Sequence, residues 1–164
     1  MLSISLRVPG VRQVVRLVAA TRFVVEGESM SPYLEHGHYL LVDRLAYRLT
    51  TPSRGDVVVL RDPGQPGVDC VKRIVGLPGE HVKMEQETVL VNGQRLTENY
   101  VGKDATSETP FPSQWALDDH EYLVLGDNRK ASRDSRAFGP VDLSHFVGKA
   151  WVRYWPRDAW QRLG

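Results

Sequence analysis

Residues 88–96 read TVLVNGQRL, and this stretch decides the fold. Two short runs flank Asn92-Gly93, a pair suited to the positive φ angles of a two-residue hairpin turn. A helix would not place Val and Leu in so short a run against such a turn. Outward from this hairpin, HYLLVDRL, GDVVVLRD, VDCVKRIVGL, EYLVLGD and VGKAWVRYW repeat the pattern. Each is short, rich in Val, Leu or aromatics, and bounded by Gly, Pro, Asp or Asn. The chain therefore reads as mostly β from residue 38 onward. Two segments break the pattern: the loop DPGQPG at 62–67 and an irregular insert around 80–120, whose 99–119 part carries weak periodicity.

At 164 residues the chain suits one domain with a sizeable core. A formal charge of +1 argues against a nucleic-acid binder built on a basic face. The charge is uneven: before Glu26 there are four arginines and no acid, and from Glu26 onward 17 basic and 20 acidic residues. Residues 1–25 thus form a basic segment ahead of a β-rich domain at 26–164. Val11, Val14, Val15 and Val18 fall on one helical face with Arg12 and Arg16 roughly opposite, a pattern suited to lying on an anionic membrane. A helix packed on its own domain fits the same spacing. Arg7, Arg12, Arg16 and Arg22 interrupt any apolar run, so neither a spanning helix of about 20 residues nor a secretory h-region is read there. Cys70 is the single cysteine, which excludes an internal disulfide.

Three segments carry candidate chemistry. In VVEGESMSPYLEHG, Ser29 lies in a turn framed by Gly27 and Pro32, where it is either a turn hydroxyl or a nucleophile. In VDCVKRIVGL, strand alternation puts Lys72 on an apolar face with Val68, Cys70 and Ile74. Burial there would lower the lysine pKa and leave a neutral amine, a general base of the kind that replaces histidine in Ser-Lys hydrolases. Snorkelling of the amine to water is the alternative. In GDNRKASRDSRAFGPV, almost every residue from 127 to 136 is polar, which reads by default as a solvated loop. Asp127, Arg129, Asp134 and Arg136 could instead form an ion-pair frame that points Ser132 or Ser135 at a lysine. The five histidines have no distinctive setting, and His36-Gly-His38 lacks the further ligands of a metal site, so no metal or cofactor is expected.

Taken together and in order, GESMSP, RGDVVVL, VKRIVGLPGE, VNGQRLTENYV and GDNRKASRDSRAFGPV resemble the boxes of type I signal peptidases, Ser-Lys endopeptidases of the membrane surface. The resemblance spans roughly residues 21–156. It implies a fold of coiled antiparallel β-sheets, with Ser29 as nucleophile, Lys72 as general base and Ser132 orienting the lysine. It places the oxyanion hole at the backbone of Ser29 and Gly27, and site support at Met30, Arg73, Gly126, Asp127, Asp134 and Arg136. Its implied substrates are pre-protein signal peptides bound as an extended strand, with small residues at −1 and −3, and the enzyme is expected as a monomer. The implied location is the cytoplasmic membrane, with the catalytic domain on the extracytoplasmic face.

Two positions depart from the pattern. Gly27 stands where some members carry an oxyanion hydroxyl, and the basic segment stands where a membrane anchor usually precedes the nucleophile. A related maturation peptidase of the mitochondrial inner-membrane kind shares Gly-Glu-Ser-Met, and a non-catalytic β-rich binding module is the alternative outside enzymes. A self-cleaving repressor would need a DNA-binding helix pair that about 25 residues cannot supply.

Overall fold

The computed structural model describes residues 20–86, 88–102 and 114–163. Strands dominate, and every strand pairing is antiparallel. In chain order they are β1 (Ala20–Val24), β2 (Tyr39–Asp43), β3 (Val57–Arg61), β4 (Asp69–Gly76), β5 (His81–Glu85), β6 (Thr88–Val91), β7 (Gln94–Arg95), β8 (Gln114–Ala116), β9 (Glu121–Leu125), β10 (Val141–Asp142), β11 (Phe146–Trp155) and β12 (Gln161–Arg162). Among the described residues, two four-residue helices, α1 (Ala46–Leu49) and α2 (Ser135–Phe138), and three 3-10 turns accompany the strands.

The large sheet runs β1-β2-β11-β3-β4-β9-β10, with β12 beside β11, and the small one runs β7-β6-β5-β8. Val75, Leu123 and Leu125 of the first meet Val82, Val89, Trp115 and Leu117 of the second in a shared apolar cluster. Along β3, Val57 and Val59 pack on Met30, Leu34, Leu40 and Val42, while Val58 and Leu60 pack on Ile74, Val124 and Val141. The strand is thus buried on both faces, which explains its unbroken apolar run VVVL.

The Asn92-Gly93 hairpin forms as its residues dictate. Both turn residues have positive φ, 51° and 79°, and Val91 pairs with Gln94 across them. Two expectations change. The 80–120 insert is not wholly irregular, because β5, β6 and β7 order much of its first half; residues 103–113 lie outside the described residues. Ala20–Val24, read within the basic N-terminal segment, form β1 and pair residue by residue with β2. The amphipathic helix read over Val11–Val18 lies outside the described residues.

Candidate active site

Ser29 follows β1 in a turn fixed by Met30, which is 1% exposed in the core cluster with Val25 and Leu34. Lys72 sits in the middle of β4, opposite Val58 of β3 and on the same strand face as Cys70 and Ile74. It is only 3% exposed, so it does not snorkel to water. Its Nζ lies 3.1 Å from Ser29 Oγ and 2.8 Å from the Val71 carbonyl. Burial lowers the Lys72 pKa below its ordinary value, against the opposing pull of Cys70, Asp134, Asp62 and Asp127. The same burial raises the pKa of the Cys70 thiol above its ordinary value.

The polar run 127–136 is not a solvated loop. Asp127, Arg129, Asp134, Ser135 and Arg136 are all buried, each 4% exposed or less. Their charges are paired with one another and with distant chain segments, which is what burial of charge requires. Arg73 Nε and Nη2 reach the two Asp127 oxygens at 2.9 and 2.6 Å, and Nη1 donates to the Gly55 carbonyl. The Arg73 guanidinium also lies over the rings of Tyr33 and Tyr100, at 4.5 and 4.0 Å. Arg129 pairs with Glu98 at 2.5 Å. Asp134 caps α2, accepts from the Gly126 N–H at 3.0 Å and pairs with Arg136 at 2.8 Å. Arg136 in turn donates to the carbonyls of Arg129 and Ser132, which fixes the backbone on either side of the Ser132 hydroxyl.

Gly126 lies between the two serines. A Cβ there would sit 2.2 Å from Ser132 Oγ and 2.5 Å from the Ser29 carbonyl, which itself accepts from the Asn128 N–H at 3.0 Å. Glycine is therefore the condition for bringing the Ser29 turn and the Ser132 segment together.

Three features differ from expectation. Ser132 Oγ is buried but makes no hydrogen bond among the described residues, and the lysine amine is held by Ser29 and Val71 instead. Ser135 is not an alternative lysine partner, because its hydroxyl accepts from the Val124 N–H at 3.0 Å. Gly27, expected as an oxyanion donor, has its N–H directed to His36 Nδ1 at 3.3 Å, whereas the Ser29 N–H donates to no acceptor among the described residues. Sequence reasoning also left Glu98, Tyr33 and Tyr100 without roles, although the Glu-Asn-Tyr stretch at 98–100 held two of them.

The serine and lysine open on a cleft of about 560 Å³, bordered by Phe23–Ser29 on one side and Val68–Lys72 on the other. Among the described residues both borders include unpaired strand edges: β1 pairs only with β2, and β4 pairs with β9 only from Arg73 onward. A hydroxyl, a desolvated amine and two free strand edges on an antiparallel frame are what a peptide-bond hydrolase of the Ser-Lys type requires.

Comparison with known proteins narrows that class. The family model for signal peptidase, peptidase S26, matches residues 2–155. A signal peptidase I of Leptolyngbya laminosa is 37% identical over 157 residues, covering 90% of this chain and 74% of that protein. Signal peptidase IB of Staphylococcus aureus is 35% identical over 153 residues, covering 83% and 78%. The crystal structure of a signal peptidase I from Enterococcus faecalis is similar with a TM-score of 0.52 and 30% identity, over 61% of this chain and 97% of that one. The chain belongs to the signal peptidase family, peptidase S26. It is accordingly a serine endopeptidase with the mostly β, antiparallel fold of signal peptidase I.

Proposed function

We propose that this chain removes signal peptides from exported pre-proteins by a Ser29–Lys72 dyad. One observation carries the assignment of residues: a lysine 3% exposed whose Nζ stands 3.1 Å from a serine oxygen at the mouth of a cleft. Neutral Lys72 takes the Ser29 proton as Oγ attacks the carbonyl carbon of the −1 residue. The Ser29 N–H, which has no acceptor among the described residues, donates to the oxyanion that forms. As the C–N bond breaks, the Lys72 ammonium returns its proton to the leaving amine, leaving the signal peptide esterified to Ser29. Lys72 then deprotonates a water that hydrolyses the ester and frees the hydroxyl.

Unpaired edges of β1 and of Asp69–Val71 suit an extended substrate added as a strand between them. Val25, Val59 and Val71 line the same cleft and leave room for small side chains, in keeping with selection at −1 and −3. Ser132 acts on the lysine once substrate is bound: its hydroxyl has no other partner among the described residues, and its backbone is held by Arg136. The enzyme works as a monomer, membrane-associated with its catalytic domain on the extracytoplasmic side. The basic N-terminal segment supplies the contact with the membrane surface.

Ser29→Ala and Lys72→Met should each abolish cleavage of a purified pre-protein, with far-UV circular dichroism unchanged. Wild-type rates in both variants would overturn the dyad and restore the binding-module reading.

A further inference from the structure

The loop 62–67, polar enough by sequence to cross solvent, is fastened to the active-site frame by an ion pair between residues 71 apart in sequence. Arg133 Nε and Nη2 meet the two Asp62 oxygens at 3.1 and 3.3 Å. Asp62 is 7% exposed, and its Oδ1 also accepts from the Gly64 N–H at 2.8 Å. The fit is close: a Cβ on Gly64 would fall 2.1 Å from Arg133 Nη2. Both members of the pair line the cleft that holds Ser29 and Lys72, and Arg133 directly follows Ser132.

We propose that Asp62 and Arg133 form a positioning clasp, which holds the loop after β3 against the Ser132 segment and balances the electric field at the Lys72 amine. The inference rests on Lys72 being the general base. The charged and titratable groups around that amine are Cys70 on its own strand, Asp127 and Asp134 from the segment after β9, and Asp62 from the loop after β3. Glu26, Glu28, Asp69 and Arg133 line the same cleft. Asp127 and Asp134 are each neutralised within the frame by Arg73 and Arg136. Asp62 is neutralised by Arg133, which is partly exposed and reaches it from across the cleft. Asp62 favours the charged form of Lys72, and a guanidinium paired with Asp62 acts on the amine with the opposite sign.

The two halves of the clasp therefore have opposite electrostatic signs, which a merely structural role would not show. The test is the pH profile of kcat/KM on an uncharged peptide with alanine at −1 and −3. Asp62→Asn removes a negative charge and should move the Lys72 limb to lower pH, by about half a unit. Arg133→Gln leaves Asp62 unopposed and should move it to higher pH, and the double variant should fall between them. Cys70→Ser in each background should leave these shifts intact. Shifts in the same direction, or no shift with equal losses at the plateau, would overturn the clasp. If Asp62→Asn does not fold, Arg133→Gln and Arg133→Lys still decide: the lysine variant should return the limb toward wild type. A wild-type profile without a lysine limb would count against the dyad itself; a failure of the clasp appears only in the differences between variants.

Discussion

Gly126→Ala perturbs the site through a single carbon atom. The added Cβ would lie 2.2 Å from Ser132 Oγ, 2.5 Å from Ser132 Cβ and 2.5 Å from the Ser29 carbonyl oxygen. Carbon contacts are comfortable near 3.5 Å, so these neighbours must retreat by roughly 1 Å. Two of the three atoms belong to Ser132 and the third to the backbone of the nucleophile, so the displacement falls on the reacting groups. A misplacement of that size costs on the order of 100-fold in rate, and the overpacking itself about 1–3 kcal/mol of stability. The assay is kcat/KM on a pre-protein together with urea unfolding. Gly102→Ala provides the comparison, since its nearest neighbour would be Pro32 Cδ at 3.8 Å, and it should keep near-wild-type activity. A Gly126→Ala enzyme within twofold of wild type would refute the claim that this glycine sets the distance between the two serines.

Two further outcomes concern stability. Asp127→Ala leaves the Arg73 guanidinium, 6% exposed, without its counter-ion, and should cost about 3–5 kcal/mol in urea unfolding. Lys72 has a folded pKa below its ordinary 10.5, so between those two values the unfolded chain binds more protons and stability rises with pH. Lys72→Met should therefore be more stable than wild type at neutral pH, with the advantage shrinking as pH climbs toward 10.5; melting curves across that range measure it.

Sequence made the β framework legible where alternation and turn residues agreed. The hairpin at Asn92-Gly93 and the runs that became β2, β3, β4, β9 and β11 all carried both signals. β1 was hidden because Arg22 placed it within a basic segment, although its backbone pairs fully with β2. β5 was hidden by His81, Lys83 and Glu85, which face outward while Val82 enters the core. Positions in the site were legible chiefly through the order of the boxes. Lys72 by itself left burial and snorkelling open, and only tertiary packing decides between them. For the 127–136 segment, composition alone leaves a solvated loop and an ion-pair frame both open, because hydropathy counts polarity and not pairing. The partners that allow its burial, Arg73 and Glu98, lie 54 and 31 residues from the residues they neutralise. The vacant hydrogen bond at Ser132 and the diversion of the Gly27 N–H to His36 are matters of side-chain geometry with no trace in spacing.

A Ser29–Lys72 dyad requires a neutral Lys72, and the pH dependence of kcat/KM for pre-protein cleavage by the wild-type enzyme measures its protonation most directly. The rate should climb through a single limb as Lys72 loses its proton, at a pH below the ordinary lysine value, and replacement of His36 or His38 by Gln should leave that limb in place. A flat profile, or a limb near 6.5 that vanishes with either histidine, would contradict a lysine base.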